Sequence, residues 1–165
     1  MRSHSVFVAV VVIGAFALIP ASHADGGDEA LGCWLTDDGS AIFEIYTVDG
    51  KYHGKIVWLK EPNYPKDDKE AGKPVRDREN PDASKRDRPL LGLELLRDFD
   101  YAGDNAFENG HIYNPDNGKT YKCKMKLAGG KELHVRGYIG ISLIGGTTVW
   151  TRCEKPASPD SQPSR

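Results

Sequence analysis

From residue 31 to residue 153 the chain is a succession of short runs in which apolar and polar residues alternate, broken by Gly, Asn, Asp and Pro. A period of two is the pattern of strands with one buried face. It predicts strands at 31–36, 41–48, 51–59, 93–99, 106–113, 121–127, 132–138 and 147–153. Asp49-Gly50 is a strong hairpin signal, and Asp37-Asp38-Gly39, Asn114-Pro115-Asp116-Asn117-Gly118 and Gly129-Gly130 are turn chemistry between other runs. No segment carries a long helical period. Eight antiparallel strands at this spacing predict an all-β fold, a sandwich or a small barrel of eight or more strands.

The alternation also assigns faces. In the third run Tyr52, Gly54, Ile56 and Trp58 share a side that is expected to point inward, opposite Lys51, His53 and Lys55. Tyr121, Cys123, Met125 and Leu127 likewise oppose Lys122, Lys124 and Lys126. An eight-stranded interior is just wide enough to be filled by side chains or to hold one small ligand. Small Gly54 and Cys123 among larger neighbours leave room for a cavity, and a simply filled core is the alternative.

Two stretches break the pattern. Between residues 60 and 88, 17 of 29 residues are charged, with four prolines and few apolar side chains. So long an irregular loop in a compact domain is functional or mobile, and one short helical turn is expected after Asn80-Pro81. Within it Asp77, Asn80, Arg86 and Arg88 can form a mutual cluster of ion pairs and hydrogen bonds. Alternatively, Arg86 and Arg88 hold a carboxylate or phosphate. The tail 154–165 is rich in Pro and Ser and is expected to be disordered.

The N-terminus reads as an export signal: Arg2, an uncharged, mostly apolar run at 6–19, then Ser22-His23-Ala24 before a cut after Ala24. A membrane-spanning helix needs about 20 apolar residues, more than this run supplies. Ala30-Leu31-Gly32-Cys33 lies too far beyond the run for a lipoprotein signal. The expected location is periplasmic or extracellular, with residues 31–153 forming one domain after residues 1–24 are removed. Without Arg2 the chain has 21 Lys and Arg against 24 Asp and Glu, a balance that gives no support for nucleic-acid or anionic-membrane binding. In an oxidising compartment thiols pair, and Cys33 and Cys153, at the two ends of the domain, are the pair that would tie its termini together, leaving Cys123.

Catalytic chemistry is thinly represented. His53, His111 and His134 are isolated on separate strands, and the patterns around His53 and His134 turn both toward solvent. No close His or Cys spacing suggests a metal site. Glu44 would be a candidate acid only if its face were inward. The run Asp98-Phe99-Asp100 with Gly103-Asp104 lacks the ligands of a calcium loop. No nucleophile-and-base arrangement, phosphate loop or dinucleotide fingerprint is present, so no catalytic residue and no cofactor is assigned.

Gly32-x-Trp34 near the start and Trp150-Thr151-Arg152 at the end resemble the signature of the calycin group, the lipocalins and their relatives. That resemblance implies a barrel in which Arg152 lies over Trp34 and closes one end, leaving the other as a mouth. A longer string resembles the bacterial secreted family known as domain of unknown function 2147. It comprises Gly54-Lys55-Ile56-Val57-Trp58-Leu59, Asp77-x-x-Asn80-Pro81, Arg86-x-Arg88-Pro89-Leu90-x-Gly92, Gly110-x-Ile112-Tyr113-Asn114-Pro115-x-x-Gly118-Lys119-x-Tyr121, Val135-Arg136-Gly137-Tyr138-Ile139-Gly140 and Trp150-Thr151-Arg152. It implies a small exported β-barrel and no particular activity. Cys153 is not part of that pattern.

The expectation is therefore an exported, lipocalin-like barrel with one long charged loop, binding a small apolar or amphiphilic molecule or a cell-envelope component. Tyr52, Trp58 and Tyr113 would supply apolar contact and Arg86 or Arg88 a polar handle. The rival readings are a protein-interaction module using the charged 60–92 loop and, with least support, a hydrolase or metal enzyme.

Overall fold

The structure, a computed structural model, describes residues 26–140 and 145–158, so the expected export signal lies outside the described residues. Eight strands form: β1 (Gly32–Leu35), β2 (Ala41–Val48), β3 (Lys51–Leu59), β4 (Glu94–Gly103), β5 (Ala106–Asn114), β6 (Lys119–Ala128), β7 (Glu132–Tyr138) and β8 (Gly145–Cys153). Each pairs antiparallel with the next, and β8 returns to β1 to close a barrel. A 3-10 turn at Gly26–Ala30 precedes β1, and a second at Ala83–Lys85 follows Asn80-Pro81, capped by the Asp82 carboxylate on the Ser84 N–H. Strand β4 runs four residues past its expected end at 99. Asp98 adopts a left-handed φ of 65° inside a bulge, which breaks the period-two pattern there.

Inward faces fill most of the barrel. Trp34, Ile45, Leu96, Phe99, Phe107, Cys123, Leu133 and Trp150 are all buried. Gly54 leaves no cavity: a Cβ there would come within 2.8 Å of Leu96 and 2.9 Å of Ile45, whose side chains occupy the space. Gly110 is required in the same way, because the Phe99 ring lies across it and a Cβ would approach to 2.3 Å. The room expected around Gly54 and Cys123 is filled core.

Trp58 departs from the expected face. Ile42 pairs with Trp58 while Phe43 pairs with Ile56, so Val57 is an extra residue in β3. The bulge flips the alternation. Trp58 consequently joins a second apolar cluster with Cys33 and Ile42 rather than the main core with Tyr52 and Ile56.

The lower end holds the hairpins at 49–50, 104–105 and 129–130 and is shut by the chain that enters β1. The Arg152 guanidinium carbon lies 4.2 Å from the centroid of the Trp34 ring, and Trp34 Nε1 donates to the Ala30 carbonyl at 2.8 Å. Arg152 also donates to the carbonyls of Gly130 at 2.8 Å, Leu31 at 3.0 Å and Glu29. The tail expected to be disordered from Glu154 lies against β2 at its start, where Lys155 meets Glu44 at 2.6 Å.

Charge-assisted bonds to three carbonyls and a cation–π contact make Arg152 the main clamp of this end. Replacing Arg152 by Met is expected to cost ~3 kcal/mol, about 10 °C in Tm, with Lys restoring only part because it lacks the planar fork. Thermal unfolding of the two variants checks this.

Candidate functional site

With the lower end capped and the middle packed, the space left in the barrel is at its upper end. There Ile112 of β5, Tyr121 of β6, Val135 and Gly137 of β7, and Gly146 and Thr148 of β8 line a cavity of about 340 Å³. Residues paired in register share a face, and Ile112 pairs with Tyr121, Val135 with Thr148 and Gly137 with Gly146. Val135 belongs to the core and forms the floor. The opening exists because Gly137 and Gly146 stand side by side where bulky residues would close it. Among the described residues, a Cβ at Gly146 would meet nothing within 4 Å, and one at Gly137 only Ile112, at 3.3 Å. Tyr138 and Ile139 form the rim, and Ile139 is 65% exposed. Among the described residues no charged side chain lines this mouth; its polar groups include the Tyr121 hydroxyl, which accepts from Asn117 Nδ2 at 3.0 Å, and Thr148.

A different arrangement lies outside the β5–β6 wall. Asp77 is fully buried in the long loop. Its carboxylate accepts from the Tyr113 hydroxyl at 2.5 Å, Asn80 Nδ2 at 2.7 Å and Arg88 Nη2 at 2.7 Å. Arg86 Nε donates to the Asn80 carbonyl at 2.7 Å, and the Asp77 N–H donates to the Arg88 carbonyl at 2.9 Å. Burial first, and then the Asp77 carboxylate, push the Tyr113 hydroxyl up to about 12. The four loop residues singled out in the sequence thus latch the loop onto β5 through Tyr113. Beside the latch is a polar recess of about 240 Å³, whose lining mixes Lys85, Arg88 and Arg97 with Asp82 and Glu94.

A family model described as an uncharacterized protein conserved in bacteria, domain of unknown function 2147, matches residues 32–152. The chain belongs to this family. Among solved structures it is similar to protein HP1028 of Helicobacter pylori, described as belonging to the lipocalin family. The TM-score is 0.62 and the identity 21%, over 74% of this chain and 81% of that one. Among curated proteins none matches. The barrel is thus lipocalin-like in fold.

In this member of the 2147 family the residues expected to meet a ligand do not converge. Tyr52 packs edge-on against Phe107 at 4.8 Å near the capped end, where Gly27 lies against its hydroxyl. Trp58 is in the second cluster, and Tyr113, Arg86 and Arg88 serve the latch. The mouth residues Gly146 and Thr148 were not singled out in the sequence. The last strand was expected to begin at 147, one residue past Gly146, whereas it begins at Gly145.

The catalytic candidates are separated as well. Glu44 faces outward between Lys55 at 3.3 Å and Lys155 at 2.6 Å, and its hydrogen bond from Lys155 holds its carboxyl below the usual range. His53, expected in solvent, is only 12% exposed: its ring stacks on Tyr46, and Nδ1 lies 3.4 Å from Glu94 without a hydrogen bond. The Tyr46 hydroxyl donates to that carboxylate at 2.5 Å. His134 is at the surface beside Glu132, and His111 sits on the outer face of β5 opposite Arg97. Among the described residues no group of three or more His, Cys, Asp or Glu could hold a metal ion, and no helix is long and apolar enough to cross a membrane. Cys33 and Cys153 are direct partners in the β1–β8 register, both as free thiols.

The latch carries a pH signature. A tyrosine raised in the folded state stabilises it below the unfolded value of 10.0, and that stability disappears as pH rises toward about 12. Urea midpoints of the native protein should therefore fall across this window more steeply than those of Tyr113→Phe.

Proposed function

We propose that this barrel binds the apolar part of a small amphiphilic molecule in its upper mouth. The observation that carries the reading is the uncharged cavity of about 340 Å³ at the one end the cap leaves accessible, in a barrel otherwise filled. A volume at the lower limit of ligand pockets, floored by Val135, suits a short acyl chain or a single ring system rather than a large ligand. The lipocalin-like fold supports ligand binding in general. A charged head group has no partner inside the mouth and stays at the rim. The charged loop is a weaker basis for an interaction module, because several of its charges are engaged within the loop itself: Arg76 with Glu70 and Asp87, Arg78 with Asp68, Lys85 with Asp82 and Arg88 with Asp77.

Export belongs to the same proposal. Arg2, the apolar run and Ser22-His23-Ala24 support cleavage after Ala24, which leaves the Gly26–Ala30 turn and its cap on the mature chain. In an oxidising compartment Cys33 and Cys153 then join across the seam. Two thiols yield one disulfide, with two protons released and two electrons passed to the disulfide of a thiol oxidase. Burial, and then the neighbouring Cys33, push the Cys153 thiol up to about 11, so the bridge forms before the seam is buried or with an enzyme's help.

Medium-chain fatty acids, their lysophospholipids and N-phenyl-1-naphthylamine are the probes. Saturating probe should raise Tm, by about 2–3 kcal/mol of stabilisation at a hundredfold excess over Kd. Gly146→Leu should fill the mouth and abolish the rise without lowering the Tm of the free protein; an undiminished rise rejects the mouth. Intact-mass analysis of protein exported by its host should show a chain beginning at Asp25 and lacking two hydrogen atoms, with one free thiol. Three free thiols, or an uncut N-terminus, reject that part.

A further inference from the structure

The outer face of the strands that form the mouth is basic, although the whole chain is slightly acidic. Lys122, Lys124 and Lys126 alternate along β6 with the inward residues Cys123 and Met125. Across β7, Lys124 pairs in register with Arg136 and Lys126 with His134, while Lys122 pairs with Tyr138 of the rim. On the other side His111 lies opposite Lys122, and Arg97 opposite His111. The carboxylates of this wall are Asp98, Glu132 and Glu108, which shares a recess with Lys124 and Lys126, with Glu94 beside Arg97 and Asp100 engaged by Lys51 at 2.6 Å. Lys122 and Lys124 have no ion-pair partner among the described residues; Lys126 donates to the Asp104 carbonyl and Arg136 to Thr147 Oγ1 at 2.9 Å.

The apolar rim continues directly from this basic wall. Ile139 is the most exposed large apolar side chain among the described residues, and it follows Tyr138, whose register partner is Lys122. A cationic wall that ends in an exposed Ile139 and a half-buried Tyr138 around an apolar opening complements a bilayer surface, with its anionic head groups outside and acyl chains below. An acidic polymer would match the lysines and leave Tyr138 and Ile139 unused. The strand rise puts Lys124 only about 7 Å below Lys122, inside the screening length of salt, so both sense the same surface.

We propose that the β6–β7 wall and rim dock this barrel, mouth first, on a bilayer containing anionic phospholipid, from which the ligand enters. The ligand's entry rests on the mouth reading; the docking does not.

The test is flotation of the mature chain with vesicles of equal parts phosphatidylcholine and phosphatidylglycerol, and with phosphatidylcholine alone. Binding is expected to the first and not the second, and to weaken at high ionic strength. Lys122→Gln and Lys124→Gln should each reduce affinity about fivefold, and the double variant about 25-fold, with Lys66→Gln in the charged loop unchanged. Ile139→Ser should remove the binding that survives salt. Equal binding to both vesicles, no binding to either, an unaffected double variant, or retention on a soluble acidic polymer without vesicle binding would each overturn the proposal. Naphthylamine binding in solution separates the two readings. Its loss in Gly146→Leu with vesicle binding intact upholds the docking face. Its retention in the lysine variants shows that they remain folded around an open mouth.

Discussion

A sheet becomes a barrel only if its first strand meets its last, and in this chain that meeting is short. Strand β1 has four residues, and three of them pair with β8. The seam therefore needs help from side chains, and Arg152 supplies it by covering Trp34 and holding the carbonyls of Glu29, Leu31 and Gly130. This one guanidinium gathers the N-terminal turn, the β6–β7 hairpin and the last strand. Because that gathering closes the lower end, the accessible inner surface is left at the other.

The interior follows from the volumes that each level receives. At mid-height, rings and branched side chains meet the glycines at 54 and 110, where Leu96, Ile45 and Phe99 occupy the room a Cβ would need. At the upper end two glycines face each other in register, at 137 and 146, and no bulky neighbour among the described residues reaches across Gly146. The same residue type thus serves opposite purposes: close packing below and an opening above. A small apolar mouth over a floor of core side chains is the feature on which the proposed ligand binding rests.

The long loop contributes by holding still rather than by reaching out. Its ion pairs bind it internally, and its buried Asp77 carboxylate accepts from three donors, one of them the Tyr113 hydroxyl from the barrel wall. A buried carboxylate with its hydrogen bonds satisfied contributes little net stability but excludes other arrangements of the loop, since any displacement would leave it unpaired. The loop is fixed against the outer wall, clear of the residues that line the mouth.

Strand positions, the turns, the closure of the first strand on the last and the family were legible in the sequence because each rests on local alternation, turn chemistry or contiguous motifs. The cluster of Asp77, Asn80, Arg86 and Arg88 was legible as one of two alternatives, and only the approach of Tyr113, 36 residues from Asp77 along the chain, showed which role these side chains take. Trp58 and the tyrosines looked like ligand contacts because aromatic residues on an inward face suit a pocket. A bulge at Val57 moved Trp58 out of the main core, and the N-terminal turn covered Tyr52. Alternation assigns a face only until one inserted residue reverses it, and register is a property of two strands rather than one. The mouth was decided by the tertiary structure alone, because an opening is the absence of side chains from several strands at one height. By itself the sequence determined that this chain forms a barrel with a closed seam; the fold decided which end is open and what surrounds it.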